Sequence, residues 1–381
     1  MLVLSGLLPL AVALHGVAEG TDVYLFLIGM MLLSELARRE GLFDWLAAHV
    51  ARRAAGSASK LFFLVYAMGC VVTVFLSNDA TAVVLTPAVA AVSRAAGAKN
   101  PLPFLLICAF IANAASFVLP ISNPANLVIY GAHMPPLLQW LPLYALPSAV
   151  SIVMTCFLLW LTQRKALHQQ IAGQAPAPKL SRAGALAACG ICGTALLLLA
   201  VSATGVSLGL PTFLAGCATA AMVLLPKREA PWALLREISW LVLPLVAGLF
   251  VLVAALDRAG VTAALSHLLR HASQTMPGAA IWASGLFLGF GCNLVNNLPA
   301  GLIAGHAVQA AQVGAKIRAA VLVGIDLGPN LSVTGSLATI LWLSALRREN
   351  LTVDAWMFLR IGIVVMPAAL LFTLGSILLT G

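Results

Sequence analysis

Residues 75–87 read FLSNDATAVVLTP, an amide and a carboxylate, Asn78 and Asp79, set between two runs apolar enough to lie in a bilayer. An ionisable group at that depth costs about 3 kcal/mol on insertion scales and more in simulations, so it persists where it has a partner or a task. Composition decides that lipid is the right solvent. Of 381 residues 61% are hydrophobic and 9% are charged, against roughly 25% charged in soluble domains, and mean hydropathy is +1.02. The chain is a polytopic membrane protein. Its formal charge of +9 would suggest nucleic acid in a soluble chain, but here it reads as basic cytoplasmic loops. The seven cysteines are scattered, most of them in apolar runs where a thiol acts as a small hydrophobe, so no disulfide framework, metal or cofactor is expected. Cys189 and Cys192 form a CxxC inside an apolar run, where a redox role is the minor reading.

Working outward from that stretch, runs of spanning length fall near 2–18, 22–38, 136–162, 183–203, 208–226, 238–257 and 355–379. Two longer apolar stretches, 60–95 and 279–312, are split by the pairs Asn78-Asp79 and Asn296-Asn297. They read as re-entrant hairpins, because lipid does not tolerate polar tips unless they face protein or a wet cavity. Two others, 103–131 and 318–346, are interrupted by NAASFVLPISNPAN and DLGPNLSVTGS and read as broken helices.

The charges test this layout independently. If each span is crossed in turn and both hairpins return to the side they left, sixteen Lys and Arg fall on one face and in the linker. Four (Arg258, Arg270, Lys316 and Arg318) fall on the other, with Arg360 just inside a span. The positive-inside rule then places the N-terminus in the cytoplasm and the C-terminus outside. MLVLSGLLPLAVALHGVAEG at the start lacks a charged n-region and reads as a span rather than a signal peptide.

The chain repeats itself. LARREGLFDWLAAHVAR (36–52) resembles LDRAGVTAALSHLLRH (256–271), Asn78-Asp79 falls on Asn296-Asn297, and IANAASFVLPISNPANLVI (111–129) falls on GIDLGPNLSVTGSLATILW (324–342). The topology places one hairpin inside and the other outside, so the copies are inverted, as in many secondary transporters. The expected fold is therefore an all-α inverted-repeat secondary transporter with two re-entrant hairpins and two broken helices. Residues 1–165 form the first repeat, 166–182 a flexible cytoplasmic linker, and 183–381 the second repeat. The first repeat lacks one N-terminal helix relative to the second.

Pro120, Pro124, Gly328, Pro329 and Gly335 stop continuous helical hydrogen bonding at the breaks. That frees Asn113, Ser122, Asn123, Asn126, Asn330 and Thr334 to turn inward beside Asn78, Asn296 and Asn297 of the hairpin tips. Asn offers donors and an acceptor in one short side chain and can replace water around a small solute. The bland alternative is that these groups only stitch helices together. Four breaks related by one repeat favour a shared site. Asp79 and Asp326 are the deep carboxylates and the candidate proton carriers. Glu35 and Asp257, near membrane ends, read as interfacial ion-pair partners.

FLSNDATAVVLTP, LVNNLP (294–299) and especially GIDLGPNLSVTGSLATILWL (324–343) resemble the signature segments of ArsB-type arsenite efflux permeases of the ion transporter superfamily. The similarity runs through nearly the whole chain. It implies export of trivalent arsenic and antimony, as neutral trihydroxides, in exchange for protons across the cell (inner) membrane, sometimes with an accessory cytoplasmic ATPase. Asn113 stands where an Asp is expected in such relatives, which removes one potential proton carrier. The absence of Lys and Arg beside the polar pairs suits a neutral solute. Trivalent arsenic also binds sulfur, but Cys70, Cys108 and Cys292 do not coincide under the repeat. Rival readings are a sodium/proton antiporter, a sodium-coupled anion carrier and, remotely, an intramembrane aspartyl protease using Asp79 and Asp326, although GID is not the GxGD of those enzymes.

Overall fold

The computed structural model describes every residue except 1, 2, 4, 7, 132, 133, 172–178, 205 and 381. Among the described residues the only extended pairing is an isolated bridge between Ser57 and Gln170; regular structure is otherwise helical. Helices α1 (Leu10–Glu19) and α2 (Thr21–Arg39) lead into the amphipathic α3 (Leu42–Ala54). The first hairpin is α4 (Ala58–Phe75), a break at Leu76-Ser77, then α5 (Asn78–Ala80), a π-helical turn (Thr81–Leu85) and α6 (Thr86–Ala95). The first broken helix is α7 (Leu102–Ala114), an irregular turn and α8 (Pro124–Tyr130), and α9 (Leu137–Gln163) closes the half. Helices α10 (Arg182–Ser202), α11 (Gly209–Lys227) and α12 (Trp232–Glu237) follow. The earlier order then recurs as α13 (Val242–Arg258), α14 (Val261–Thr275), a hairpin of α15 (Pro277–Val295) and α16 (Asn297–Ala311), the broken pair α17 (Ala315–Leu327) and α18 (Leu337–Arg348), and α19 (Ala355–Leu378).

The recurrence extends to backbone detail and to packing. Gly41 and Gly260 precede α3 and α14 with φ of +72° and +80°, a left-handed conformation that disfavours other residues. No atom lies within 4 Å of a Cβ built at either, so the backbone, not space, asks for glycine. Helix α2 packs on α11 as α13 packs on α1, α4 on α7 as α15 on α17, and α3 on α6 as α14 on α16. The halves also interlock, since α8 lies against α16 and α18 against the π turn and α6. Helix α10, packed on α11, and the short α12 have no counterpart among the described residues of the first half.

Glycine sets the closest contacts. Gly285 and Gly289 of α15 face Gly324 of α17 and Gly328 beyond it, and a Cβ on Gly328 would lie 2.3 Å from the Gly289 carbonyl oxygen. This is the small-residue packing expected where lipid gives helices no hydrophobic reason to associate. The π turn has a local cause as well: Pro87 at the start of α6 has no N–H for the ladder, and one wide turn absorbs the mismatch.

Two expectations need correction. The span expected over 2–18 begins at Leu10 and is 10 residues long, about 15 Å at 1.5 Å per residue, and it meets α2 at a 47° bend. The linker expected over 166–182 to be flexible is docked where it starts, while residues 172–178 lie outside the described set. Leu167 and Ile171 are buried. The Gln169 amide donates to the Asn100 carbonyl at 2.8 Å and accepts from the Asn100 N–H at 3.0 Å. Together with the Ser57–Gln170 bridge, this ties both feet of the first hairpin, because Ser57 caps α4 and Asn100 follows α6.

Candidate functional site

The two broken helices meet in one buried polar network. At the first break Asn123 is extended and its side-chain oxygen accepts from Ala125 N, capping α8 with Pro124 at its first position, a combination that starts a helix cleanly. The amide nitrogen left over donates to Asp326 Oδ1 at 2.8 Å. Ser116 Oγ donates to Asp326 Oδ2, also at 2.8 Å. Asp326 has no exposed surface, so each carboxylate oxygen has one donor and none is left to solvent. Beside it Asn113 Nδ2 donates to Asn330 Oδ1 at 3.0 Å, and Asn330 Nδ2 to the Phe110 carbonyl. Asn126 Nδ2 holds the backbone of the break through Ser116, Leu119 and Pro120 carbonyls. Ser122 Oγ reaches across to the Val74 carbonyl in the first hairpin.

Among the described residues three side-chain oxygens in these segments find no donor: Asn113 Oδ1, Asn126 Oδ1 and Asn297 Oδ1, each buried. In Asn113 and Asn126 the nitrogen donates to carbonyl oxygens, so flipping the amide would set oxygen against oxygen. Those oxygens therefore face inward as acceptors, and a buried acceptor without a donor costs about 1–3 kcal/mol.

The tips differ from each other. Asn78 is buried and Asp79 half-buried, and Ser77 caps the next turn through Ala80 N at 3.1 Å. At the second tip Asn296 has φ of +75° and its amide donates to the Thr334 carbonyl at 3.2 Å, while Asn297 N donates to the Gly335 carbonyl at 2.8 Å. Thr334, expected to turn inward, is exposed; its hydroxyl donates to the Asn293 carbonyl, so it closes the loop locally rather than facing the network. Asn296 is likewise only half-buried. Gly335 is required by proximity, since a Cβ there would sit 2.6 Å from Pro329 Cα. Pro120, Gly328 and Pro329 lie in short 3-10 turns at the breaks.

A cavity of ≈ 600 Å³ runs to the first tip and touches Ser77, Asp79 and Pro124. Its wall carries five carboxylates (Glu35, Asp44, Asp79, Glu237 and Glu349) against two guanidinium groups, Arg38 and Arg348. Glu35 and Glu237 both pair with Arg38, and Glu349 pairs with Arg94 at 2.5 Å. At the rim, desolvation pushes the Asp44 carboxyl up from its ordinary value, with Arg38 opposing. Among the described residues the Asp79 side chain makes no hydrogen bond, and Asp79 and Asp326 do not bond to each other, so no carboxyl dyad forms. Among the described residues no three His, Cys, Asp or Glu could hold a metal, and Cys70, Cys108 and Cys292 form no thiol cluster.

Two contributors were not read from the sequence. Ser116 anchors Asp326, and Asn293 organises the second tip by donating to the Gly328 carbonyl and accepting from Ser332 Oγ at 2.7 Å. Their signal was present in NAAS and CNLVNN, beside the residues singled out.

The family profile described as CitMHS: Citrate transporter matches residues 1–325. The Arsenical pump membrane protein of Escherichia coli is 28% identical over 366 residues, covering 92% of this chain and 85% of its own. That of Yersinia enterocolitica is 28% identical over 370 residues, with the same coverage. The Putative arsenical pump membrane protein of Bacillus subtilis is 24% identical over 381 residues, covering 93% and 86%. The crystal structure of the Alcanivorax borkumensis YdaH transporter, reported to have an unusual topology, shares the fold with a TM-score of 0.59 and 18% identity over 96% of this chain and 86% of its own.

Proposed function

The chain belongs to the CitMHS, or citrate transporter, family, and from that premise we propose that it exports trivalent arsenic and antimony, as neutral trihydroxides, in exchange for protons. The acidic cavity carries the reading. A tricarboxylate approaching Asp79 would pass four other carboxylates and two cations, and the tip itself offers no positive charge. A neutral polyhydroxyl solute meets no such repulsion, and its hydroxyl protons suit the unmatched oxygens of Asn113, Asn126 and Asn297. The relatives named as arsenical pumps support the same choice.

The recurring element order supports an inverted repeat about the membrane plane, with substrate held between the hairpin tips and the broken helices. In that frame the cavity opens to the cytoplasm, because Arg38 and Arg348 at its mouth lie on the basic face. Asp79 is then the carboxylate in reach of cytoplasmic water, and Asp326 the one sealed within.

Purified protein in proteoliposomes tests this with arsenite, antimonite, Na⁺ and citrate under an imposed pH gradient. We expect uphill movement of arsenite and antimonite with opposing proton flux. Asp79→Asn and Asp326→Asn should keep arsenite binding and lose pH-driven transport. Proton-coupled Na⁺ movement or citrate uptake, with arsenite left at equilibrium, would overturn the reading, as would both Asn variants pumping at the normal rate.

A further inference from the structure

Tyr130 ends α8 and Tyr144 lies in α9, and their hydroxyl oxygens are 2.6 Å apart. Both are buried, Tyr144 completely. Two hydroxyls carry two protons, and one hydrogen bond uses one of them. Among the described residues the other proton has no acceptor. Phenylalanine would fill the same space without burying a hydroxyl, so packing alone does not account for the pair.

The neighbours give the pair a direction. Trp140, tilted against Tyr144 with centroids 4.1 Å apart, donates to the Phe117 and Val118 carbonyls, next to the Ser116 that holds Asp326. At the other end the Arg318 guanidinium sits 5.5 Å over the Tyr130 ring. Arg318 and Asp326 both belong to α17, eight residues or about 12 Å apart along the helix, and α17 packs against α8 and α9. Helix α8 completes the layout. The acidic cavity touches Pro124 at its start, and the tyrosine pair lies at its end, so Asp326 is approached from opposite directions.

We propose that Tyr130 and Tyr144 form a proton wire that loads Asp326 from the outer face, entered beside Arg318, while the substrate cavity opens on the other side. A proton from external water binds the Tyr130 oxygen as the Tyr130 proton passes to the Tyr144 oxygen. The Tyr144 proton passes through an intervening water to the carboxylate, and both hydroxyls turn to reset. Only O–H bonds form and break, and one positive charge moves inward. Ser116 and Asn123 each occupy one lone pair of the carboxylate oxygens, which leaves lone pairs for the incoming proton.

The inference rests on the proton-exchange reading. Its test separates proton-driven transport from arsenite–arsenite exchange at equal pH, which moves no net proton. Tyr130→Phe and Tyr144→Phe should each slow proton-driven arsenite transport by at least about tenfold, a threshold below the roughly 10²–10⁴-fold that a positioned acid or base contributes, and leave exchange unchanged. Trp140→Phe, which keeps both hydroxyls, serves as the packing control and should not separate the two rates. If both rates of the Tyr variants match wild type, or both fall together, the wire is wrong and the pair is structural. If wild type pumps arsenite without moving protons, the functional reading fails first and takes the wire with it.

Discussion

Asp326 and Asp79 share one chemistry in two settings. Asp326 is fully enclosed, with one donor on each oxygen; Asp79 faces the ≈ 600 Å³ cavity and, among the described residues, bonds to no side chain. Both were visible in the sequence, because a carboxylate inside an apolar run is conspicuous. Ser116 was not, because a serine in a membrane helix usually returns its proton to its own backbone. Ser116 also lies 2.7 Å from the Asn113 carbonyl, so its single proton is shared between that oxygen and the carboxylate that α17 brings up. Ser116→Ala removes one of the two donors from a buried carboxylate. The expected cost is about 1–3 kcal/mol, read as a lower melting temperature in detergent, and Ser116→Thr should recover most of it. Thr334 failed the other way: its composition promised an inward hydroxyl, but the Asn293 carbonyl lay closer than the network.

At the level of elements, the breaks were legible because their chemistry is local. SNP in the first half and TGS in the second supply a capping side chain just where a helix restarts: Asn123 on Ala125 N and Ser336 on Thr339 N. Gly41 and Gly260 announced matching turns through a backbone conformation that glycine favours. The π turn was hidden, since Pro87 near a helix start looks like ordinary N-terminal punctuation unless the preceding turn is known to be helical too. The short α1 was hidden because apolar character alone does not say where a helix begins. The glycine seam between α15 and α17 makes a sharp test. Gly328→Ala would place a methyl 2.3 Å from a backbone oxygen, which no rotamer relieves, so the helices must part at a cost of about 1–3 kcal/mol. Gly248→Ala, inside α13 where nothing lies within 4 Å, should melt no lower than wild type, since alanine is the better helix former. Equal melting temperatures for both variants would mean that the seam is looser than it looks.

Across the whole molecule, charge and geometry agree without sharing a source. The pairs Arg38–Glu237, Arg39–Glu229, Lys227–Glu40 and Arg94–Glu349 all fall on the face that the Lys and Arg count assigns to the cytoplasm. Exposed pairs are worth little each, about 0–1 kcal/mol, so their value here is as a marker of one surface. The repeat could be read from three landmarks in order. The way the halves interlock, α8 on α16 and α18 on the π turn, could not, because it depends on contacts between residues some 180 to 260 positions apart.

The amide clasp at the start of the linker decides where this polypeptide can be cut. Gln169 and Gln170 belong by position to the connection between the halves, yet their bonds are all to the feet of the first hairpin. The border between the two halves as separable pieces therefore lies after Ile171, not at Gln163 where α9 ends. Two co-expressed fragments divided between 171 and 179 should find each other in the membrane and co-purify, since the helix contacts that join them are intact. Fragments divided at 165 leave Ser57 and Asn100 without their partners on the first piece and hand a loose clasp to the second, and their yield of paired complex should be lower. Equal yields from both cuts would show that the hairpin feet hold themselves.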